Sequence, residues 1–310
     1  MSVLALSGGI GGAKLALGLY RVLPPGELTV VANTGDDFEH LGLSISPDID
    51  TLLYTLGGID NPELGWGRRS ETWTFMAALE ALGGETWFKL GDGDLATHVE
   101  RTRRLAAGES LSKITDDFRR RLGISARLLP MSDNRVRTRL RTDEGWLDFQ
   151  DYFVRLRASP VVREVAYAGD AEARANPDFL AALAGDDLEL VVICPSNPFL
   201  SIDPVLSLPR ARDALRACRA PVVAVSPIIG GKAVKGPTAK IMAELGLPVG
   251  AAAVARHYED ILDVFIADEA DANEVEDLGI PVRLARTLMS TIEDREDLAR
   301  AVRAVAGRGV

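Results

Sequence analysis

The sequence predicts an α/β fold built on a parallel sheet with helices on both faces. Two observations predict it. Short apolar runs ending in glycine-rich or polar loops alternate with helix-period segments, the punctuation of β-loop-α-β units. That pattern opens the chain, breaks off, and returns near residue 188, with a stretch of different character between.

Residues 3–6 form the first apolar run, which ends at a glycine cluster. A helix-period segment over 13–23 follows and is stopped by Pro24-Pro25-Gly26. Residues 28–32 are the second run, ending in Asn33-Thr34-Gly35-Asp36-Asp37, and a short helix is expected over 51–56. From residue 66 to about 160 the chain reads as helical stretches (71–82, 95–107, 115–122) and then short alternating segments (136–140, 146–149). Alternation resumes with a strand over 188–193, a helix over 206–217, strands over 222–225 and 261–267, and a closing amphipathic helix over 294–305. The reading is therefore a Rossmann-like parallel sheet with a mixed, mostly helical insertion. Residues 1–60 and 161–310 are the nucleotide-binding core, and 61–160 is an insertion subdomain packed on the ends of the strands.

Composition narrows the function. The 310 residues, 47% hydrophobic, can fill one large core or two modest ones. Thirty-five Lys and Arg stand against 45 Asp and Glu, a formal charge of −10, which argues against a nucleic-acid partner. It leaves phosphate ligands open, because a metal ion can bridge acidic side chains to phosphates. The two cysteines, Cys194 and Cys218, suit neither a zinc site nor a disulfide framework, so a cytoplasmic location is expected. No apolar run approaches the roughly 20 residues of a membrane helix. The first six residues carry no basic region ahead of the apolar stretch, which argues against a signal peptide.

Ser7-Gly8-Gly9-Ile10-Gly11-Gly12-Ala13-Lys14 joins the first strand to the first helix. Glycines admit close backbone approach, and a helix N-terminus offers N–H groups to an anion, so Gly9, Gly11 and Gly12 are candidates for a phosphate cradle. The spacing meets neither the dinucleotide fingerprint nor the P-loop pattern. Tight strand–helix packing is the alternative. After the second strand, Asn33 to Asp37 and then Ser46-Pro47-Asp48-Ile49-Asp50-Thr51 bring acidic pairs beyond strand ends. Carboxylates so placed suit a hard divalent cation, with Asp36 and Asp50 the candidate ligands and Asp37 and Asp48 the alternates. A helix cap at Asp50 and a turn at Asp36 explain them equally well. Trp87-Phe88-Lys89 puts one lysine after two aromatics, suited to an anionic ligand atom or to an ordinary surface stem. Pro195-Ser196-Asn197-Pro198 and the Ser226 to Pro237 loop follow later strands on the same sheet edge, where such folds bind ligands. Thr34, Ser196 and Asn197 join the glycines as candidate phosphate contacts. His40, His98 and His257 show no metal-ligand spacing and are expected in capping or surface roles. The four tryptophans, Trp66, Trp73, Trp87 and Trp146, fall in the insertion, where core packing is the default and stacking on a planar ligand the alternative.

These segments together resemble the 2-phospho-L-lactate transferase family of coenzyme F-420 biosynthesis, whose bacterial members act as phosphoenolpyruvate transferases. The resembling stretches are 7–15, 33–37, 46–56, 65–67, 87–98, 129–133, 149–155, 195–202, 224–231 and 235–240, nearly the whole chain. One small departure is Thr238, where the family leads one to expect alanine. The resemblance implies a donor made of guanosine diphosphate esterified to lactate or enolpyruvate. It implies the deazaflavin FO as acceptor, magnesium as the metal, GMP as the leaving group and a homodimeric assembly. It further implies that Asp50 and Lys89 contact the deazaflavin. Asp50 then has two roles, orienting the ribityl hydroxyl and sitting near the metal, and the insertion covers the acceptor site. A non-catalytic guanine-nucleotide-binding regulator is the second reading, which the glycine loop alone permits. Asp36, Asp50 and Lys89 together favour the enzyme.

Overall fold

The computed structural model describes residues 2–63 and 65–306. Seven strands form one sheet in the spatial order Val282–Ala285, Val264–Asp268, Val222–Val225, Leu188–Ile193, Ser2–Ser7, Leu28–Ala32, Arg127–Pro130. Every pairing is parallel. Such a sheet must be covered on both faces, and its central strands are correspondingly mostly apolar and buried. Ser2–Ser7 sends Val3 and Ala5 to one core and Leu4 and Leu6 to the other. The first core is closed by Leu15 and Leu19 of the Gly9–Val22 helix, Leu52 and Leu53 of Pro47–Leu56, and Leu298 and Val302 of Ile292–Ala306. The second is closed by Phe179 of Pro177–Leu183, Leu215 of Ala211–Arg216 and Ile241 of Thr238–Glu244. The expected parallel sheet with helices on both faces is therefore what the chain forms.

Several elements differ from expectation. The 61–160 span also supplies a strand of the main sheet, Arg127–Pro130, which pairs with Leu28–Ala32 at the edge. The 206–217 helix is broken: Asp203–Leu206 and Ala211–Arg216 flank Pro209, which has no N–H to continue a helix, and Arg210 turns into the left-handed region at φ 71°. The first helix starts at Gly9 and not at residue 13, so the glycines form its first turn. A separate three-stranded antiparallel sheet is built from Arg137–Thr142, Gly145–Asp148 and Val162–Ala168.

The strand order locates the ligand crevice. Connections leave Ser2–Ser7 toward one edge of the sheet and Leu188–Ile193 toward the other, so the switch point lies between these two neighbours. Loops that diverge there leave a crevice at the carboxyl ends of the strands.

Candidate functional site

A cavity of about 730 Å³ occupies that crevice. Gly8 and Gly9 border it from one side of the switch point and Pro195, Ser196 and Asn197 from the other. Of the residues singled out from sequence, Gly9, Gly11, Asp36, Asp50, Lys89, Ser196 and Asn197 all border this one cavity, while Gly12 and Thr34 lie outside its lining. Trp66 and Trp87 line it and Trp73 and Trp146 do not; Phe88, Phe149 and Phe153 complete an apolar wall.

The glycines do different jobs. Gly9 adopts φ +67°, which L side chains rarely take, and a Cβ there would meet nothing within 4 Å. A Cβ on Gly11 would stand 2.4 Å from the Pro195 carbonyl oxygen, and one on Gly12 would press on the Ser7 and Ser196 hydroxyls. Those two positions let the helix approach the neighbouring loop. Ser196 ties the two sides together: its hydroxyl donates to the Gly8 carbonyl at 2.8 Å and accepts from the Gly8 N–H at 3.2 Å. Gly11→Ala is therefore expected to cost about 1–3 kcal/mol of stability, because the obstruction is backbone. Gly9→Ala is expected to cost about 1–2 kcal/mol, from its conformation alone. Urea unfolding of the two variants checks this, with Gly11→Val worse than either.

The acidic wall comes from the 33–37 loop and the Pro47–Leu56 helix. Asp36 and Asp48 are buried, and the Asn33 amide donates to both, at 3.3 Å and 3.0 Å. Asp48 also accepts from the Gly9 N–H at 2.6 Å. Burial pushes the Asp48 carboxyl up to about 6, against the pull of the Asn33 and Gly9 donors. Burial, and then the charges of Asp48 and Asp37, raise Asp36 well above the ordinary carboxylate range. Burial likewise pushes Asp37 up to about 7, although Arg137 and the Ser46 hydroxyl, which donates to it at 2.8 Å, favour its charged form.

Asp50 has a different partner. The guanidinium of Arg101, 1% exposed, engages both of its oxygens, with Nη1 at 3.0 Å from Oδ2 and Nη2 on Oδ1. Asp36 and Asp50 thus share the cavity, but each has its own polar partners, Asn33 and Asp48 for the first and Arg101 for the second. Arg101 belongs to the Asp92–Ala106 helix, which also directs Asp94 and His98 to the cavity. Their spacing, i, i+4 and i+7, is one face of a helix. That stripe was readable in the sequence; its meeting with Asp50, 51 residues away, was not.

The cavity also has cationic lining. Lys14 and Lys235 border it beside Thr287, Leu288 and Met289. The Lys14 ammonium donates to the Met289 carbonyl at 2.7 Å. Burial, then the charges of Arg295 and Lys235, lower its pKa. Lys89 is exposed at the rim, behind a ring cluster in which Phe88 meets Phe38 at 4.8 Å and Trp87 meets His40 at 5.0 Å. Asn197 caps the following turn through its carbonyl oxygen, which accepts from the Phe199 and Leu200 N–H groups, and its amide nitrogen is buried without a partner.

Comparison with known proteins agrees on one family. The model for 2-phospho-L-lactate transferase CofD matches residues 3–290. A phosphoenolpyruvate transferase of Kitasatospora aureofaciens is 43% identical over 316 residues, covering 99% of this chain and 98% of its own. A 2-phospho-L-lactate transferase of Methanosarcina mazei is 42% identical over 303 residues, covering 97% and 99%. The fold is shared with a crystal structure of a UPF0052-family protein from Bacillus halodurans, at TM-score 0.66 and 15% identity over 97% of this chain and 99% of that one.

Proposed function

Because the chain belongs to the 2-phospho-L-lactate transferase family, we propose that it transfers a phospholactyl or phosphoenolpyruvyl group from a guanosine-diphosphate-linked donor to the deazaflavin FO. The product belongs to coenzyme F-420 biosynthesis. The observation that carries this reading is the polarity of the crevice: carboxylates, lysines and aromatic rings line one cavity at the switch point of the sheet. Among the described residues no helix is long and apolar enough to cross a membrane.

The terminal ribityl hydroxyl attacks the phosphorus that bears the lactyl or enolpyruvyl group. A new O–P bond forms, the P–O bond to GMP breaks, and the hydroxyl proton leaves. Such a transfer needs positioning and charge neutralisation more than covalent catalysis. Lys14 and Lys235 meet the donor's anionic end, and the N-terminal turn of the Gly9–Val22 helix lies beside them. Asp50, fixed by Arg101, orients the attacking hydroxyl by accepting its hydrogen bond. Trp87, Phe88 and Phe149 flank the flat acceptor ring.

The residues also fit a hard divalent cation such as magnesium. Asp36 and Asp48 are buried carboxylates lining the cavity that share the Asn33 amide, and a cation beside them would offset the burial that raises both and the Asp48 charge that further raises Asp36. When bound, it would neutralise diphosphate charge. Asp50, held by a guanidinium, would stand beside this pair on the acceptor side.

Lys89 carries a specific expectation. Its ammonium has no hydrogen bond or ion pair among the described residues, and it stands at the rim beside Trp87 and Phe88. Placed against the acidic ring hydroxyl of the deazaflavin, it would favour the bound anion. Lys89→Met keeps the stem and removes the charge. FO affinity is expected to fall about tenfold, with donor affinity unchanged; equal FO affinity in the variant would return Lys89 to the surface.

The experiment for the activity itself offers FO with lactyl, enolpyruvyl and glyceryl guanylylated donors in competition and weighs the product by mass spectrometry. A product of FO plus one phosphoryl-linked acid supports the transferase and names its donor. Recovery of unmodified FO under all three refutes it.

A further inference from the structure

His98 lies between the acidic wall and the acceptor side of the cavity, and its proton can be placed by elimination. Its Nδ1 is 3.3 Å from Arg101 Nη1, and a guanidinium only donates, so Nδ1 accepts. Nε2 is then the ring nitrogen that bears hydrogen. The side chain is buried, yet Nε2 has no well-directed hydrogen-bond partner. Asp94 Oδ2 is 3.2 Å away, outside well-formed hydrogen-bond geometry. Asp94 keeps that oxygen available, because its Oδ1 is the atom that accepts from the Tyr54 hydroxyl, at 2.5 Å. One unpaired donor and one acceptor thus stand side by side on the cavity wall.

We propose that His98 Nε2–H and Asp94 Oδ2 form a polyol subsite that binds the ribityl chain of the acceptor, deepening the transferase reading on which it rests. A hydroxyl both donates and accepts, so one hydroxyl, or two neighbouring ones, satisfies both groups at once. A phosphate does not suit this corner. Asp50 and Asp94 both face it, and its one guanidinium, Arg101, is consumed by Asp50. The cluster Asp50, Asp94 and His98 has the ligand atoms of a metal site, all within 4.8 Å of one another. Arg101 already takes both Asp50 oxygens and His98 Nδ1, so only the Asp94 carboxylate and His98 Nε2 are left there for a ligand. Asp50 Oδ2 stands 3.6 Å from His98 Nδ1, so a chain bound here ends beside Asp50.

The test compares two ligands by equilibrium titration: FO and the same deazaflavin ring carrying a methyl group in place of the ribityl chain. The wild-type protein is expected to bind FO about tenfold more tightly. His98→Leu should erase that preference and leave methyl-ring affinity unchanged, and His98→Gln, which restores an N–H donor, should recover part of it. Should His98→Leu fail to fold, Asp94→Asn reads the same contact, because it keeps an oxygen for Tyr54 and turns the free acceptor into a donor. Its preference for FO should also fall. Equal losses for both ligands would make His98 a packing residue and overturn the subsite. Wild-type binding of the methyl ring with no gain from the ribityl chain would overturn the subsite alone. Binding of neither ligand would overturn the acceptor reading with it.

Discussion

Arg101→Met is expected to destabilise the protein by about 3–5 kcal/mol, the scale of breaking one half of a buried ion pair. The cause is what remains behind. Asp50, 4% exposed, would keep its charge in the interior with the guanidinium gone, and the Ser44 carbonyl and His98 Nδ1 would each lose a donor. Adding Asp50→Asn to that variant removes the stranded charge, so the double variant should be more stable than Arg101→Met alone. Urea unfolding followed by circular dichroism measures both. A loss below about 1 kcal/mol would contradict the pairing. Transfer activity should fall in both variants, because a loose or neutral residue 50 no longer orients the attacking hydroxyl.

Asp48→Asn is expected to lower turnover about a hundredfold or more and to raise the magnesium requirement, since half of the paired carboxylate set is lost. Its effect on the metal-free fold has the opposite sign. Burial raises Asp48 to about 6 and Asp37 to about 7, above the value each has in the unfolded chain. Between those limits the folded protein binds more protons than the unfolded one, so stability is fully present below about pH 4 as far as these groups are concerned. It is lost as pH rises through 6 and 7. Metal-free Asp48→Asn should therefore show a shallower loss over that window. Magnesium should flatten it in the wild type. Calorimetric melts at pH 5 and pH 8, with EDTA and with magnesium, check the sign; a wild-type protein more stable at pH 8 in EDTA would contradict it.

The parts of the fold that were legible in the sequence are those with local signatures. The strands Leu28–Ala32, Leu188–Ile193 and Val222–Val225 are apolar runs with at most one polar residue each, Thr29 in the first and Glu189 in the second, and they form as read. Arg127–Pro130 and Val282–Ala285 were not read, because each is four residues at or near a sheet edge, with arginine inside the run or beginning it. No periodicity can establish itself over so short a length. At the site, the glycine turn, the Asp36 loop, the helix start at Asp48 and the Ser196-Asn197 loop were legible because fold class alone sends them to one sheet edge. Arg101 was not, because its meaning is a contact with Asp50, and nothing local to residue 101 announces it. The same holds for His98: its tautomer follows from Arg101, and its free donor from an interior no spacing reveals.

The central claim is that this crevice transfers a group and does not merely hold a guanine nucleotide. GMP release from an enolpyruvyl or lactyl guanylylated donor, followed with and without FO in the presence of magnesium, tests it most directly. Release is expected to depend on FO, to stop on addition of EDTA and to match the FO consumed mole for mole. Tight binding of guanine nucleotide with no FO-dependent GMP would contradict it.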